Sequence, residues 1–119
     1  MDETIASFVA TALSLTLGTD VVIDEQAAGE RDCIIVHTLA DTSNFAGLLV
    51  YDVNVIICNT SLNVASGYAS TLRSAFDAYR GICGTAWGVI GSVIARYEGT
   101  DTMNRAVYSV ACKIGKQEV

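Results

Sequence analysis

The chain has 119 residues, of which 51% are apolar and 17% charged, and its formal net charge is −6. That length makes one domain with room for a real core, and the acidic balance argues against a basic patch that grips a phosphate backbone. The charged share falls below the roughly 25% of an average domain; either the core is very dry or a partner covers part of the surface, because large exposed apolar patches are rare on monomers.

Glu3 to Leu17 is expected to form the first helix, with Ile5, Phe8, Val9, Ala12, Leu13, Thr16 and Leu17 as its stripe, Asp2 as its cap and Gly18 as its stop. The stretch Thr4–Thr19 is uncharged but has no basic leader, so it reads as a helix and not as a secretion signal. A short strand, Asp20–Ile23, leads into a charged loop, Asp24–Asp32. Cys33–Leu39 follows, a strand apolar on both faces and so expected inside the sheet. Asp41–Ala46 is expected to be the turn into the next strand.

The strongest pattern is Gly47 to Tyr79. In Gly47–Cys58 the odd positions Leu49, Tyr51, Val53, Val55 and Ile57 are apolar or aromatic, whereas the even set carries Asp52 and Asn54 at its centre. Strand side chains alternate with period two, so one face is buried and the other is mixed. After Asn59-Thr60-Ser61, the positions Val64, Tyr68, Leu72, Ala75, Phe76 and Tyr79 recur at helical spacing. Ser61 or Asn63 can cap that helix and Gly81 can end it. Val53–Leu72 is uncharged but is divided by Asn, Ser and Thr into strand, turn and helix, so no membrane span is expected. A glycine-rich stretch, Gly81–Gly91, enters a strand at Gly88–Tyr97; Glu98–Thr102 is a turn, Met103–Ile114 the last strand, and Gly115–Val119 a frayed tail.

The order α-β-β-β-α-β-β predicts a single α+β domain in two layers. A mainly antiparallel sheet of about five strands carries both helices on one face.

Chemistry is sparse. His37 is the only histidine, and Cys33 with His37 could supply half of a zinc site. Cys58, Cys83 and Cys112 are scattered, and the simpler reading is four thiols packed as small hydrophobes in a reducing compartment. Cys33 cannot use His37 as a base, since residues four apart on a strand lie roughly 13 Å from each other. There is no Gly-x-Ser-x-Gly elbow. The glycines at 81, 84, 88 and 91 lack a following Gly-Lys-Ser/Thr and open a strand in place of a helix. Trp87 reads as a core or interface anchor. Neither an enzyme nor a cofactor is expected.

Two stretches carry a family likeness. They are the strand and helix LLVYDVNVIICNTSLNVASGYASTLRSAF (48–76) and the ending RYEGTDTMNRAVYSVACKI (96–114), an acidic turn followed by a basic residue and an alternating strand. With the N-terminal helix and the chain length, this pattern resembles the tail-terminator (tail-completion, head-to-tail joining) proteins of long-tailed bacteriophages. The resemblance lies in element order and not in any invariant motif. It implies a structural protein of the virion tail and neck, assembled in the host cytoplasm as a hexameric ring. The ring caps the tail tube and meets the tube protein and the neck or connector protein, while DNA passes through without sequence-specific binding. In such a ring the subunit contacts are expected from Asp24, Glu25, Glu30, Arg31 and Asp32 of one loop and Asn44 and Phe45 of the other. The charges Arg96, Arg105 and Lys113 of the last hairpin are expected to pair with a neighbour, with Asp52 and Asn54 facing the lumen or a neighbour. The alternatives are another head–tail adaptor or tail subunit and, from a different class, a small-ligand or protein-binding α+β module that uses the sheet face around Asp52 and Asn54.

Overall fold

The computed structural model describes residues 2–23, 32–45, 48–80 and 87–117, with the backbone alone for 41–45, 48 and 117. In chain order the elements are α1 (Asp2–Leu13), β1 (Val21–Val22), β2 (Cys33–Phe45), β3 (Leu48–Asn59), α2 (Leu62–Asp77), β4 (Trp87–Thr100) and β5 (Ala106–Gln117). They form the expected α+β fold, with one five-stranded sheet in the order β1-β2-β3-β5-β4. Among the strand pairs of the described residues, β1 with β2 is parallel and the others are antiparallel. Because β3 and β4 both run antiparallel to β5, they run parallel to each other. The helix α2 crosses between them above β5, which makes a split β-α-β unit.

One core lies between the helices and the sheet. Its floor is the odd face of β3 (Val53, Val55, Ile57) with Ile34 and Val36 of β2, Val89 and Val93 of β4, and Val110 and Ile114 of β5. Its roof is Ile5, Ala6, Val9 and Ala10 of α1 and Ala65, Ala69, Leu72 and Phe76 of α2. The two alanines bring α2 close to the sheet, and this rotates its buried stripe away from the expected one: Val64 and Tyr79 are exposed. Ser61 caps α2, its Oγ accepting the Val64 N–H at 3.3 Å. The helix ends at Asp77 with Ala78 as cap, and Gly81 lies outside the described residues.

Other boundaries move for identifiable reasons. Asp2 lies in the first turn of α1 rather than before it, and its Oδ1 accepts both the backbone N–H (2.9 Å) and the hydroxyl of Thr38. The carboxylate therefore ties the helix start to the outer edge of β2. Asp2→Ala is expected to cost about 1–2 kcal/mol in urea-induced unfolding, the usual loss when a part-buried charge-assisted bond is removed. The helix α1 stops at Leu13, where Ser14 takes φ 56°, so Thr16 and Leu17 fall outside it and Leu17 is exposed. Of the expected turn Asp41–Ala46, residues 41–45 are instead the far half of β2, and Ala46 lies outside the described residues. After a register shift between Ala40 and Asn44, Asn44 pairs with Leu49 and Phe45 with Leu48. Cross-strand pairing overrides the turn-like composition DTSNF, since β3 offers partners on both sides of the shift. The expected frayed tail is likewise paired through 117, with Gly115 opposite both Val50 and Gly88. Residues 118–119 lie outside the described residues.

Candidate functional site

The helices cover one face of the sheet; on the other, Val22, Cys33 and Ile35 are buried as a small cluster with Ile56, and among the described residues the rest of that face, over β3, β5 and β4, has no helix on it. Direct pairings order this open face into cross-sheet rows. One row runs His37, Asn54, Ala111, Ile94, and a second runs Leu39, Asp52, Lys113, Ile90. A third runs Ile35, Ile56, Ser109, Arg96. The strand β4 curls this face into a trough. Gly91 takes φ 79°, and between Ile90 and Ile94 β4 holds two more residues than β5 opposite it, which bends the strand without changing which side chains face out. The trough encloses about 800 Å³. Its floor includes Ile56, Val107 and Ala111, and Ile90 and Ile94 rise along β4.

Two ion pairs flank the trough. Lys113 Nζ lies 3.1 Å from Asp52 Oδ1, and Arg96 Nε donates to Glu98 Oε1 at 3.0 Å. The Ser109 hydroxyl donates to the same Glu98 oxygen at 2.7 Å. These two hydrogen bonds, Ser109 first and Arg96 second, hold the Glu98 carboxyl below the usual glutamate range. The charges on the open face thus have partners within the chain, and its unsatisfied character is apolar: Ile94 is 58% exposed and Leu39 71%.

The structure therefore gathers four of the predicted residues, Asp52, Asn54, Arg96 and Lys113, into one surface. Within the subunit Lys113 pairs with Asp52, and Arg96 with Glu98. Arg105 departs from the expected exposure. It is 9% exposed instead of a surface charge. Asp101 accepts from the Arg105 backbone N–H (2.9 Å), the Arg105 Nε (2.9 Å) and the Met103 N–H (3.0 Å), and Asn104 at φ 60° lets the chain fold back around it. The backbone bond from Arg105 is the main reason that the Asp101 carboxyl sits below its ordinary range. Burial pulls the Arg105 pKa down, but the bond and charge of Asp101 outweigh it and raise the pKa.

A carboxyl whose folded pKa is depressed contributes stability above its unfolded value and loses it as pH falls through the folded pKa. Asp101→Asn is therefore expected to lower the melting temperature at neutral pH. The gap from the parent should close as pH falls below 3.8, the ordinary aspartate value. Thermal melts of both proteins across that range provide the check.

Of the loop residues expected at an interface, Asp24, Glu25, Glu30 and Arg31 lie outside the described residues, as do the side chains of Asn44 and Phe45. Asp32 is described, and it is occupied locally, accepting the Thr60 N–H at 3.1 Å and the Thr60 hydroxyl at 2.9 Å. The residues missed from sequence are Leu39, Ile90, Ile94, Glu98 and Ser109. The available signal was the period-two set Ile90, Ile94, Arg96 in β4, obscured by the glycines around it.

Trp87 belongs to the core, stacked on Tyr79 with ring centroids 4.8 Å apart and edge-on to Phe8 at 5.1 Å. Among the described residues, no group of three or more His, Cys, Asp or Glu gathers as a metal site, and no helix is long and apolar enough to cross a membrane. The chain matches no protein-family model and no curated protein.

Proposed function

We propose that this chain is a structural subunit of a phage virion, a tail-terminator-like protein that forms a ring on the tail tube and joins it to the neck. The observation that carries this reading is the open face of the sheet. A two-layer domain buries one side of its sheet, and here the other side presents exposed Leu39 and Ile94 and half-buried Ile90 beside charges already paired within the subunit. Such a surface gains by being covered, and its partners need supply no compensating charge. A ring requires a heterologous contact, in which one surface of a copy meets a different surface of the next and the rotation closes. The net charge of −6 suits a lumen that DNA must pass through without sticking. In this reading the ring is hexameric, the tube protein and the connector protein are its partners, and the work is mechanical and not catalytic.

The test is the mass of the purified chain in solution, together with negative-stain images of the chain alone and mixed with tail tubes. Closed rings, or caps at tube ends, are the expected result. A strict monomer at high concentration that leaves tube ends bare would sink the proposal.

A second reading has its own support. The trough's volume of about 800 Å³ lies within the range of small-molecule sites, and Asp52, Asn54 and Ser109 offer polar anchors over an apolar floor. A monomer whose melting temperature rises with a small apolar-polar ligand, and whose response is lost in Asn54→Ala, would favour that module instead.

A further inference from the structure

At one end of the open face, Cys33 of β2 and Cys58 of β3 are direct cross-strand partners. Their pairing type follows from the neighbours. The Ile34 N–H donates to the Asp20 carbonyl and the Thr38 N–H to Asp2, both away from β3. Antiparallel pairs alternate, so Cys33 and Cys58 form a hydrogen-bonded pair, whose Cα atoms lie about 5.5 Å apart. That Cα separation suits a disulfide, about 5.5–6 Å, but the Cβ atoms of a hydrogen-bonded pair lie toward about 5.5 Å against the roughly 3.5–4.5 Å of a bridge, so closure draws the two strand ends together. Both residues are buried thiols, but they line a cleft of about 120 Å³ at the strand ends, with Asp32, Asn59 and Tyr68. Burial raises the Cys58 pKa above its ordinary value, and the positive charge of the nearby Arg105 guanidinium offsets this only in part, so the thiolate forms on the alkaline side. Cys112 provides a contrast: it lies in the core between sheet and helices, away from this pair, where burial pushes its thiol up to about 12.

We propose that Cys33 and Cys58 form a dithiol modification site that takes small neutral disulfides and closes into a cross-strand disulfide. The Cys58 thiolate attacks one sulfur of the reagent, forming a mixed disulfide and releasing the first thiolate, which takes up a proton. The Cys33 thiolate then attacks Cys58 Sγ, the protein S–S bond forms, and the second reagent thiolate leaves and is protonated. The two protein thiols give up two electrons and two protons, and the reagent disulfide is reduced to two thiols. Size and charge select the reagent: the cleft is narrow, and Asp20, Asp32 and Asp101 lie around the pair, so an anionic disulfide such as oxidised glutathione is disfavoured.

The experiment treats the folded full-length chain, with Cys83→Ala, with excess 2-hydroxyethyl disulfide at mildly alkaline pH. Acid quenching, thiol counting, intact mass and a non-reduced chymotryptic map follow. Chymotrypsin can cut after Phe45 and Tyr51, between the two cysteines, whereas trypsin leaves both on one peptide. The expected result is a loss of two titratable thiols per chain without a retained adduct, a Cys33 peptide linked to a Cys58 peptide, and an unmodified Cys112. In Cys33→Ser, Cys58 should instead hold a single stable adduct. The proposal is overturned if both thiols remain alkylatable after treatment, if each carries its own adduct, or if the link forms only once the chain is unfolded. An unmodified Cys58 in Cys33→Ser overturns its role as the attacking sulfur.

Discussion

Replacing Phe76 with alanine is expected to lower the unfolding free energy by about 3–5 kcal/mol, the range for removing a fully buried aromatic ring. Phe76 is wholly inaccessible and lies near the end of α2, where its ring centroid sits 5.0 Å from that of Phe8 in α1. Phe8 also meets Tyr79 at 4.8 Å and Trp87 at 5.1 Å. The cluster thus ties both helices to the start of β4, and the cavity left by the substitution would open where three elements meet. Tyr79→Ala should cost less, because Tyr79 is 37% exposed and part of its ring area is already in water. Urea denaturation of the two variants beside the parent tests this ordering. A Phe76→Ala loss below about 1 kcal/mol would mean that the helices relax into the space and that the cluster does not fix their position.

Ile94→Asp is expected to have the larger functional effect with almost no cost to the fold. Ile94 is 58% exposed, so an acid there meets water in the isolated subunit and the melting temperature should hardly move. If copies of the chain cover the open face, the same change buries an unpaired carboxylate in the contact. Loss of a central apolar anchor alone costs about 2 kcal/mol, roughly thirty-fold in affinity, and the buried charge adds to this. Rings seen for the parent should therefore give way to monomers at the same concentration by sedimentation. Rings that persist unchanged would move the contact away from the trough, and a fall in melting temperature would show that Ile94 matters to folding itself.

Much of the fold is legible because its signals are local. The alternation in β3 is kept by pairing on both of its sides, so its buried and open faces fall where the parity of Val53, Val55 and Ile57 against Asp52 and Asn54 puts them. The two helices announce themselves by apolar spacing and by Ser61. Element ends are less legible. The polar run at 41–45 looks like a turn by composition, and only a partner strand of matching length keeps it extended. Arg105 has the parity of an exposed strand residue, yet Asp101 four positions earlier folds back and takes it out of solvent.

The sequence by itself determined the α+β class, the element order and the two-sided character of the central strand, since periods of 2 and 3.6 residues and capping side chains act within a few residues of chain. Only the tertiary structure decided the strand order β1-β2-β3-β5-β4, the trough bent by Gly91, the pairing of Lys113 with Asp52 and the meeting of Cys33 with Cys58. Each of these joins residues far apart in the chain, 25 positions for the two cysteines and 61 for the ion pair. Such contacts depend on which strands become neighbours, and that is settled by how α2 carries the chain across β5 to bury the odd face of β3.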